Sequence, residues 1–476
     1  MGTRRVLFVV AACGVFYAVF ARVALHAFPF SGDEYSYLLQ AEIFARGRLR
    51  APAPAHAELF GVDHVVIDQW VRSKYPPGTS ALLALGVAAR VPWLVTPLEG
   101  VVALILMWRA MRPLLGDRDA GVSLALLGAA PLFAFQAASF YSQTALTMWL
   151  AAAFAAVCAW TLDGRGWRLV LAGAATGCAL MTRPLDAFVF GAALASLRSL
   201  RALGLAAVGA APFVVLHFAY NWAQFGSPLS DGYHAYAPAF RAIYGAEAVS
   251  SISPMHLVDP EQLWHHLDVA RAFLLDWTVP GTCLAALLGA FALRGDPQRA
   301  RLRAFVLTWI ALVGGSLLFT YAGYDDGARP RYLSAALLPM ALLAGPGWRV
   351  GFSALAERVG PRWARAVAVV IAVLPPVQLG SFLVARTPEI WLREGLSKAV
   401  EARPIRDGVV IVRATYPTRY TRNGPFFDRP VLYVSAPAPG DVASVAAAFP
   451  GKPIYEARQP LCGTRAGLPW TIQQVR

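Results

Sequence analysis

Apolar residues in this chain fall in long unbroken runs, not at the 3.6 or 2.0 period of an amphipathic helix or strand. The runs lie near residues 6–27, 79–111, 120–138, 143–162, 168–182, 184–198, 203–220, 278–293, 304–321, 332–350 and 364–385. Most are about 16–22 residues long, enough to cross a hydrocarbon core of about 30 Å. Backbone groups inside such a core must be satisfied within their own segment, so the runs are predicted to be helices. One such run could be a buried helix of a soluble protein; this many in one chain cannot. The pattern predicts an all-α polytopic membrane protein with about eleven transmembrane helices. The stretch 79–111 is too long for one simple span and carries Pro92 and Pro97, so it reads as a short interfacial helix followed by one crossing.

The segments between the runs sort by charge. Arg109/Arg112/Arg118, Arg165/Arg168, Arg198/Arg201, Arg294–Arg303 and Arg358–Arg365 alternate with long, less basic segments. Basic loops stay on the cytoplasmic side. This predicts a bacterial inner-membrane protein with a cytoplasmic N-terminus and a periplasmic working face. The outer side then receives a first loop (28–79), a second long loop (221–277) and a tail (386–476). In the tail, Val-Val-Ile-Val, Val-Leu-Tyr-Val, an Ala-rich stretch and Pro-Ile-Tyr predict short strands with a helix. A transmembrane domain over 1–385 and a small C-terminal α/β periplasmic lobe over 386–476 follow.

Composition supports this reading: 57% of the 476 residues are hydrophobic and only 15% charged, against about 25% charged in soluble domains. The net charge of +14 argues for oriented loops and not for nucleic acid, because the arginines are spread among the loops. Cys13, Cys158, Cys178 and Cys283 lie in apolar runs and only Cys462 in a polar segment, so no disulfide framework or metal-ligand spacing is present. MGTRR followed by Val6–Ala27 has signal-peptide character, but Arg22 interrupts it and no small-x-small cleavage site follows. It reads as an uncleaved first span. Few ionisable residues fall at mid-membrane, where a carrier needs them; the polar and aromatic residues gather in the outer segments.

The densest chemistry follows the first span: Phe28-Pro-Phe-Ser-Gly-Asp33-Glu34-Tyr-Ser-Tyr. A carboxylate in poorly hydrated surroundings becomes more basic, which suits proton abstraction or cation binding. Equally, Ser31 or Asp33 would cap a helix running through Leu39–Ala45. The same loop closes with Ser73-Lys74-Tyr75-Pro76-Pro77-Gly78, where Lys74 either meets a lipid phosphate or snorkels to headgroups. Arg183 and Asp186, three residues apart, can pair on one helix. Asp231, Tyr233 and His234 would suit a sugar or an interfacial aromatic belt. His256, His265 and His266 lack a ligand pattern and read as a surface loop; Tyr324-Asp325-Asp326 reads as a candidate acid or a solvated turn ending at Gly327.

Taken in order, Asp33-Glu34 after the first span, the Lys74 segment with its two prolines, Met181-Thr-Arg183-Pro184-Leu-Asp186, Tyr220-Asn221-x-x-x-Phe225-Gly226-Ser-Pro228-Leu and Arg329-Pro-Arg331-Tyr332-Leu resemble the integral-membrane glycosyltransferases of the type C fold. The protein O-mannosyltransferase and aminoarabinose-transferase branch is the nearest. The resemblance hardly reaches beyond residue 385, and Tyr75 interrupts the family's lysine–proline segment. It implies inverting transfer of a sugar from a polyprenyl-phosphate donor to a lipid, polysaccharide or protein acceptor of the cell envelope. Asp33 would be the general base and Glu34 its support. Lys74, Arg331, Arg329 and Arg183 would hold the donor phosphate, and Asp231, Tyr233 and His234 the sugar or acceptor. No nucleotide cofactor is implied; some relatives use a divalent cation and others do not. The rival readings are a flippase or exporter of lipid-linked sugars and a non-catalytic protein of envelope assembly.

Overall fold

The computed structural model describes residues 3–244, 260–293, 297–319, 329–435, 442–459 and 470–476. Helices dominate. In chain order the first elements are α1 (Thr3–Val19), α2 (Gly32–Ala45), β1 (Ala51–Pro52), β2 (Val65–Ile67), β3 (Trp70–Ser73) and α3 (Pro77–Ala88). Then come α4 (Val95–Ala129), α5 (Pro131–Ala138), α6 (Gln143–Asp163), α7 (Trp167–Leu180), α8 (Pro184–Ala193), α9 (Leu200–Phe225) and α10 (Gly232–Tyr244). Five more helices follow: α11 (Pro260–Leu275), α12 (Thr282–Ala292), α13 (Pro297–Leu317), α14 (Leu337–Val359) and α15 (Pro361–Glu401). The chain closes with β4 (Gly408–Arg413), β5 (Val431–Val434), α16 (Val442–Ala448), β6 (Ile454–Arg458) and β7 (Thr471–Gln474).

Among the described residues seven helical stretches are long and apolar enough to cross a membrane: Arg4–Ala24, Pro92–Ala129, Gln143–Asp163, Leu200–Phe225, Ala300–Leu317, Pro330–Val359 and Pro361–Ala385. Of four shorter apolar helices, Trp167–Leu180, Pro184–Leu197 and Thr282–Ala292 fall on others of the apolar runs, and Pro77–Ala88 on the start of the run 79–111. The run 79–111 divides as its prolines require. α3 starts at Pro77, and α4 continues to Ala129 through a break at Gly116, whose φ of 77° interrupts the helix. The expected span at 120–138 is therefore the end of α4 plus the short α5, which starts on Pro131.

Contacts divide the chain into two units. The first comprises Met1–Ala24, Trp93–Ala219 and Val249–Phe382. Its core includes the buried aromatics Phe154, Phe190, Phe305 and Trp309. α12 and α14 approach until there is no room for a side chain: a Cβ on Gly289 would stand 1.8 Å from the Leu343 carbonyl oxygen, and one on Gly347 1.7 Å from that of Ala285. Such small-residue seams let helices associate where lipid offers no hydrophobic drive.

The second unit comprises Leu25–Pro92, Tyr220–Ala248 and Leu383–Arg476. Its first sheet is antiparallel, in the order β1-β3-β2, with Val65 opposite Ser73 and Ala51 opposite Val71. The second has the order β5-β4-β6-β7, parallel except for β7. The strands foreseen in the tail form, and the Ala-rich stretch is α16. The tail does not stand by itself, however. Phe60 of the first loop packs with Val409, Ile411, Leu432 and Val434, and Phe426 and Phe427 pack against Leu39, Ile43 and Val62. Residues 260–275 are helical, not loop, and His266 is buried within α11. His256, Tyr324, Asp325, Asp326, Gly327 and Cys462 lie outside the described residues.

Candidate active site

The first turn of α2 is built by a capping box. The Ser31 hydroxyl accepts from the Glu34 backbone N–H at 3.1 Å, and the Glu34 carboxylate accepts from the N–H groups of Ser31 (2.9 Å) and Phe30 (3.1 Å). Glu34 is thus fully buried and holds the helix start. Ser31, not Asp33, is the cap, which leaves the Asp33 carboxylate to side-chain partners.

Those partners are His64 and Tyr75. His64 Nε2 stands 3.3 Å from Asp33 Oδ1, and the Tyr75 hydroxyl donates to the same oxygen. Burial pushes the Tyr75 phenol well above its usual range, and the neighbouring Asp33, Tyr37 and Tyr233 push it the same way, so it remains a donor at any physiological pH. The His64 backbone has a left-handed φ of 63°. Its carbonyl accepts from the Ser36 hydroxyl (2.7 Å) and from Lys74 N–H (3.1 Å). A non-glycine residue in that region costs about 1–3 kcal/mol and persists where surrounding contacts impose it. Gly32 makes the approach possible: a Cβ there would stand 2.7 Å from Asp63 Cβ and 2.9 Å from His64 Cδ2.

Lys74 does not snorkel. It is buried, with Nζ 5.0, 5.2 and 4.9 Å from the ring centres of Tyr75, Tyr233 and Tyr236. Three rings around one ammonium stabilise its charge. Tyr75 touches both charged groups, its hydroxyl on Asp33 and its ring beside Lys74. The helix that carries Tyr233 and Tyr236 abuts this strand end. A Cβ on Gly232 would stand 2.1 Å from the Lys74 carbonyl oxygen, so only glycine fits the first position of α10.

Of the other loop residues, Asp231 caps α10, its Oδ1 accepting from His234 N–H at 3.0 Å and lying 2.7 Å from His234 Nδ1. The His234 side chain is 79% exposed. Tyr233 therefore reaches the Lys74 cluster while Asp231 and His234 make a helix cap.

A second cationic cluster lies within the first unit. Arg183 Nε donates to Asp186 at 2.8 Å, the helical pair foreseen from their spacing. The Arg183 and Arg331 guanidinium carbons lie 5.5 and 5.2 Å from the Tyr332 ring centre, and Arg331 lies 5.0 Å from that of Tyr141. Arg329 opens this 3-10 segment, but its side chain lies outside the described portion. Among the described residues no group of three His, Cys, Asp or Glu side chains could hold a metal ion.

The sequence pointed to Asp33 and Lys74 but not to His64, Tyr75 or Tyr236 as their companions. Tyr75 was in view as an interruption of the Lys-Pro-Pro segment, and that oddity was its only signal.

No family model and no curated protein matches this chain. Solved structures do. ArnT from Cupriavidus metallidurans bound to undecaprenyl phosphate superposes with a TM-score of 0.58 at 16% identity, over 99% of this chain and 98% of that one. The same enzyme in the apo state gives 0.55 at 17% identity, over 96% and 93%. The archaeal oligosaccharyltransferase AglB from Archaeoglobus fulgidus, in complex with an inhibitory peptide and a dolichol-phosphate, gives 0.50 at 14% identity, over 95% and 69%. At such identities the likeness speaks for architecture, and the architecture is the type C fold of the membrane glycosyltransferases.

Proposed function

We propose that this protein transfers a sugar from a polyprenyl-phosphate donor to a hydroxyl-bearing acceptor of the cell envelope at the periplasmic face, as a multi-pass enzyme with about eleven crossings. The observation that carries the reading is the linked pair on Tyr75: a base-capable carboxylate on its hydroxyl and a buried ammonium beside its ring. In the proposed step the acceptor oxygen attacks the anomeric carbon. Its proton passes to Asp33, and the bond from that carbon to the phosphate oxygen breaks with its electron pair leaving on the phosphate. Lys74 would donate to that oxygen, where negative charge develops, and a charge-assisted contact in a poorly hydrated site is strongest there. Tyr75 and His64 hold Asp33 through one carboxylate oxygen. The bound lipid phosphate of ArnT and of AglB supports the donor class.

The test is transfer by membranes carrying wild type or Asp33→Asn, using undecaprenyl phosphates bearing tritiated sugars and native envelope lipids and proteins as acceptors. Asn keeps the size of the side chain but takes no proton. Loss of label transfer with undecaprenyl-phosphate binding retained is expected. Equal transfer by both forms removes Asp33 as the base.

A further inference from the structure

The C-terminal part binds the residue next to His64. Asp63, buried and next to His64, is gripped by the segment 418–419: its Oδ1 accepts from the Thr418 hydroxyl at 2.6 Å, its Oδ2 lies 3.5 Å from Arg419 Nε, and its N–H donates to the Thr418 carbonyl at 3.4 Å. Two residues earlier, the Gly61 carbonyl accepts from the Thr421 hydroxyl at 2.7 Å and its N–H donates to the Ser435 hydroxyl at 2.8 Å. The same segment also holds the start of α2. Arg422 is buried, donates to the Pro29 carbonyl at 3.1 Å and lies 4.3 Å from the Tyr35 ring centre, while the Tyr35 hydroxyl donates to the Asn423 carbonyl. Asn423 is fastened to β5 through both backbone groups of Tyr433, at 2.7 and 2.8 Å. A short run of tail residues thus holds Asp63, next to His64, and Pro29 and Tyr35, which flank Asp33, and is itself anchored to β5.

We infer that residues 418–423 are a positioning strap for the Asp33–His64 pair, so that the tail serves the transfer step itself and not acceptor choice alone. Thr418 is the point at which this can be probed with little disturbance, because its hydroxyl meets the Asp63 carboxylate one residue from His64. Removing that hydrogen bond lets the 63–64 segment shift, and catalysis is sensitive to small displacements of an oriented group. Arg422 is a poorer probe: burial brings its guanidinium down to about 10, and deleting a buried cation that also bonds the Pro29 carbonyl risks the fold.

The inference rests on Asp33 being the base. The experiment compares Thr418→Val and Thr418→Ser by two measurements. In the transfer assay with the tritiated undecaprenyl-phosphate sugars, Thr418→Val is expected to lower kcat about tenfold with KM for donor and acceptor within about twofold, and Thr418→Ser to restore most of it. In hydrogen–deuterium exchange, Thr418→Val is expected to raise uptake in peptides covering 29–36 and 61–66, with the thermal midpoint in detergent unchanged. Wild-type kcat in Thr418→Val, equal loss in both variants, or loss confined to the acceptor KM overturns the strap. If Asp33→Asn keeps transfer, the reading of the site fails instead. If no donor is turned over, unchanged exchange at 29–36 and 61–66 overturns the strap alone.

Discussion

Tyr75→Phe is the most informative single change at the site, because it deletes one hydroxyl and leaves the ring in place. The hydroxyl donates to Asp33 Oδ1, and a hydrogen bond to a charged group contributes about 1.5–3 kcal/mol. That bond stabilises the carboxylate form selectively, and about 1.4 kcal/mol of differential stabilisation corresponds to one pH unit. Its loss makes protonation of the base easier, so the acid limb of kcat/KM moves to higher pH, by about one to two units. The ring beside Lys74 is unchanged, so the ammonium keeps its surroundings and KM for the donor stays within about twofold. Because the phenol itself is pushed well above its ordinary range, wild type and variant should not differ through any titration of Tyr75 between pH 5 and 9. The assay is the pH profile of transfer from the tritiated undecaprenyl-phosphate sugars in detergent. An acid limb that stays in place, with a normal plateau, would refute the claim that Tyr75 tunes the group whose ionisation controls transfer. A limb that moves to lower pH would refute the sign of the argument.

Other expectations follow from the same geometry. Lys74→Met should weaken undecaprenyl-phosphate binding at least tenfold by filter retention, and Lys74→Arg should recover only part of it, since a guanidinium is too large for a cage of three rings about 5 Å from Nζ. Gly232→Ala places a Cβ 2.1 Å from the Lys74 carbonyl oxygen, so it should cost about 1–3 kcal/mol, lower the thermal midpoint in detergent, and weaken the same binding. Arg72 grips Asp68 through two hydrogen bonds of 2.7 and 2.9 Å, and that contact holds the Asp68 carboxyl below the usual range. A depressed carboxyl stabilises above its unfolded titration, near pH 4, and the stabilisation disappears as pH falls through the folded value. The difference in thermal midpoint between wild type and Asp68→Asn should therefore be present at pH 7 and shrink as pH falls below the unfolded titration near pH 4; a constant difference would sink that account.

Much of this protein was legible because its strongest determinants are local. A run of apolar residues wide enough for a bilayer must be helical whatever surrounds it, because no water is available to its backbone. Pro92, named from the sequence as an interruption of the run 79–111, lies between α3 and α4. The Ser31–Glu34 cap is equally local, a spacing of three that brings two side chains to two backbone groups. The tail strands were visible as alternating or β-branched runs. Asp33 and Lys74 stood out through the motifs that resemble those of the type C glycosyltransferases, since residue type alone fitted a helix cap and a snorkelling lysine equally well.

What the sequence could not carry is the identity of each charge's neighbours. Whether Glu34 or Asp33 faced inward depended on which one the cap consumed, a choice settled only when Ser31 took the N-cap and Glu34 folded back on it. His64 lies thirty-one residues from Asp33 with nothing in its local sequence to mark it, and Tyr236 stood out only as one aromatic of the loop after the seventh run, not as a neighbour of Lys74. Their approach needs Gly32 and Gly232 at two points of backbone contact. The tail's grip on Asp63 and Pro29 joins segments more than 350 residues apart. Helix, strand and cap follow from interactions between near neighbours along the chain. The companions of a buried charge are set by desolvation and packing summed over the whole fold, and those only the tertiary structure decides.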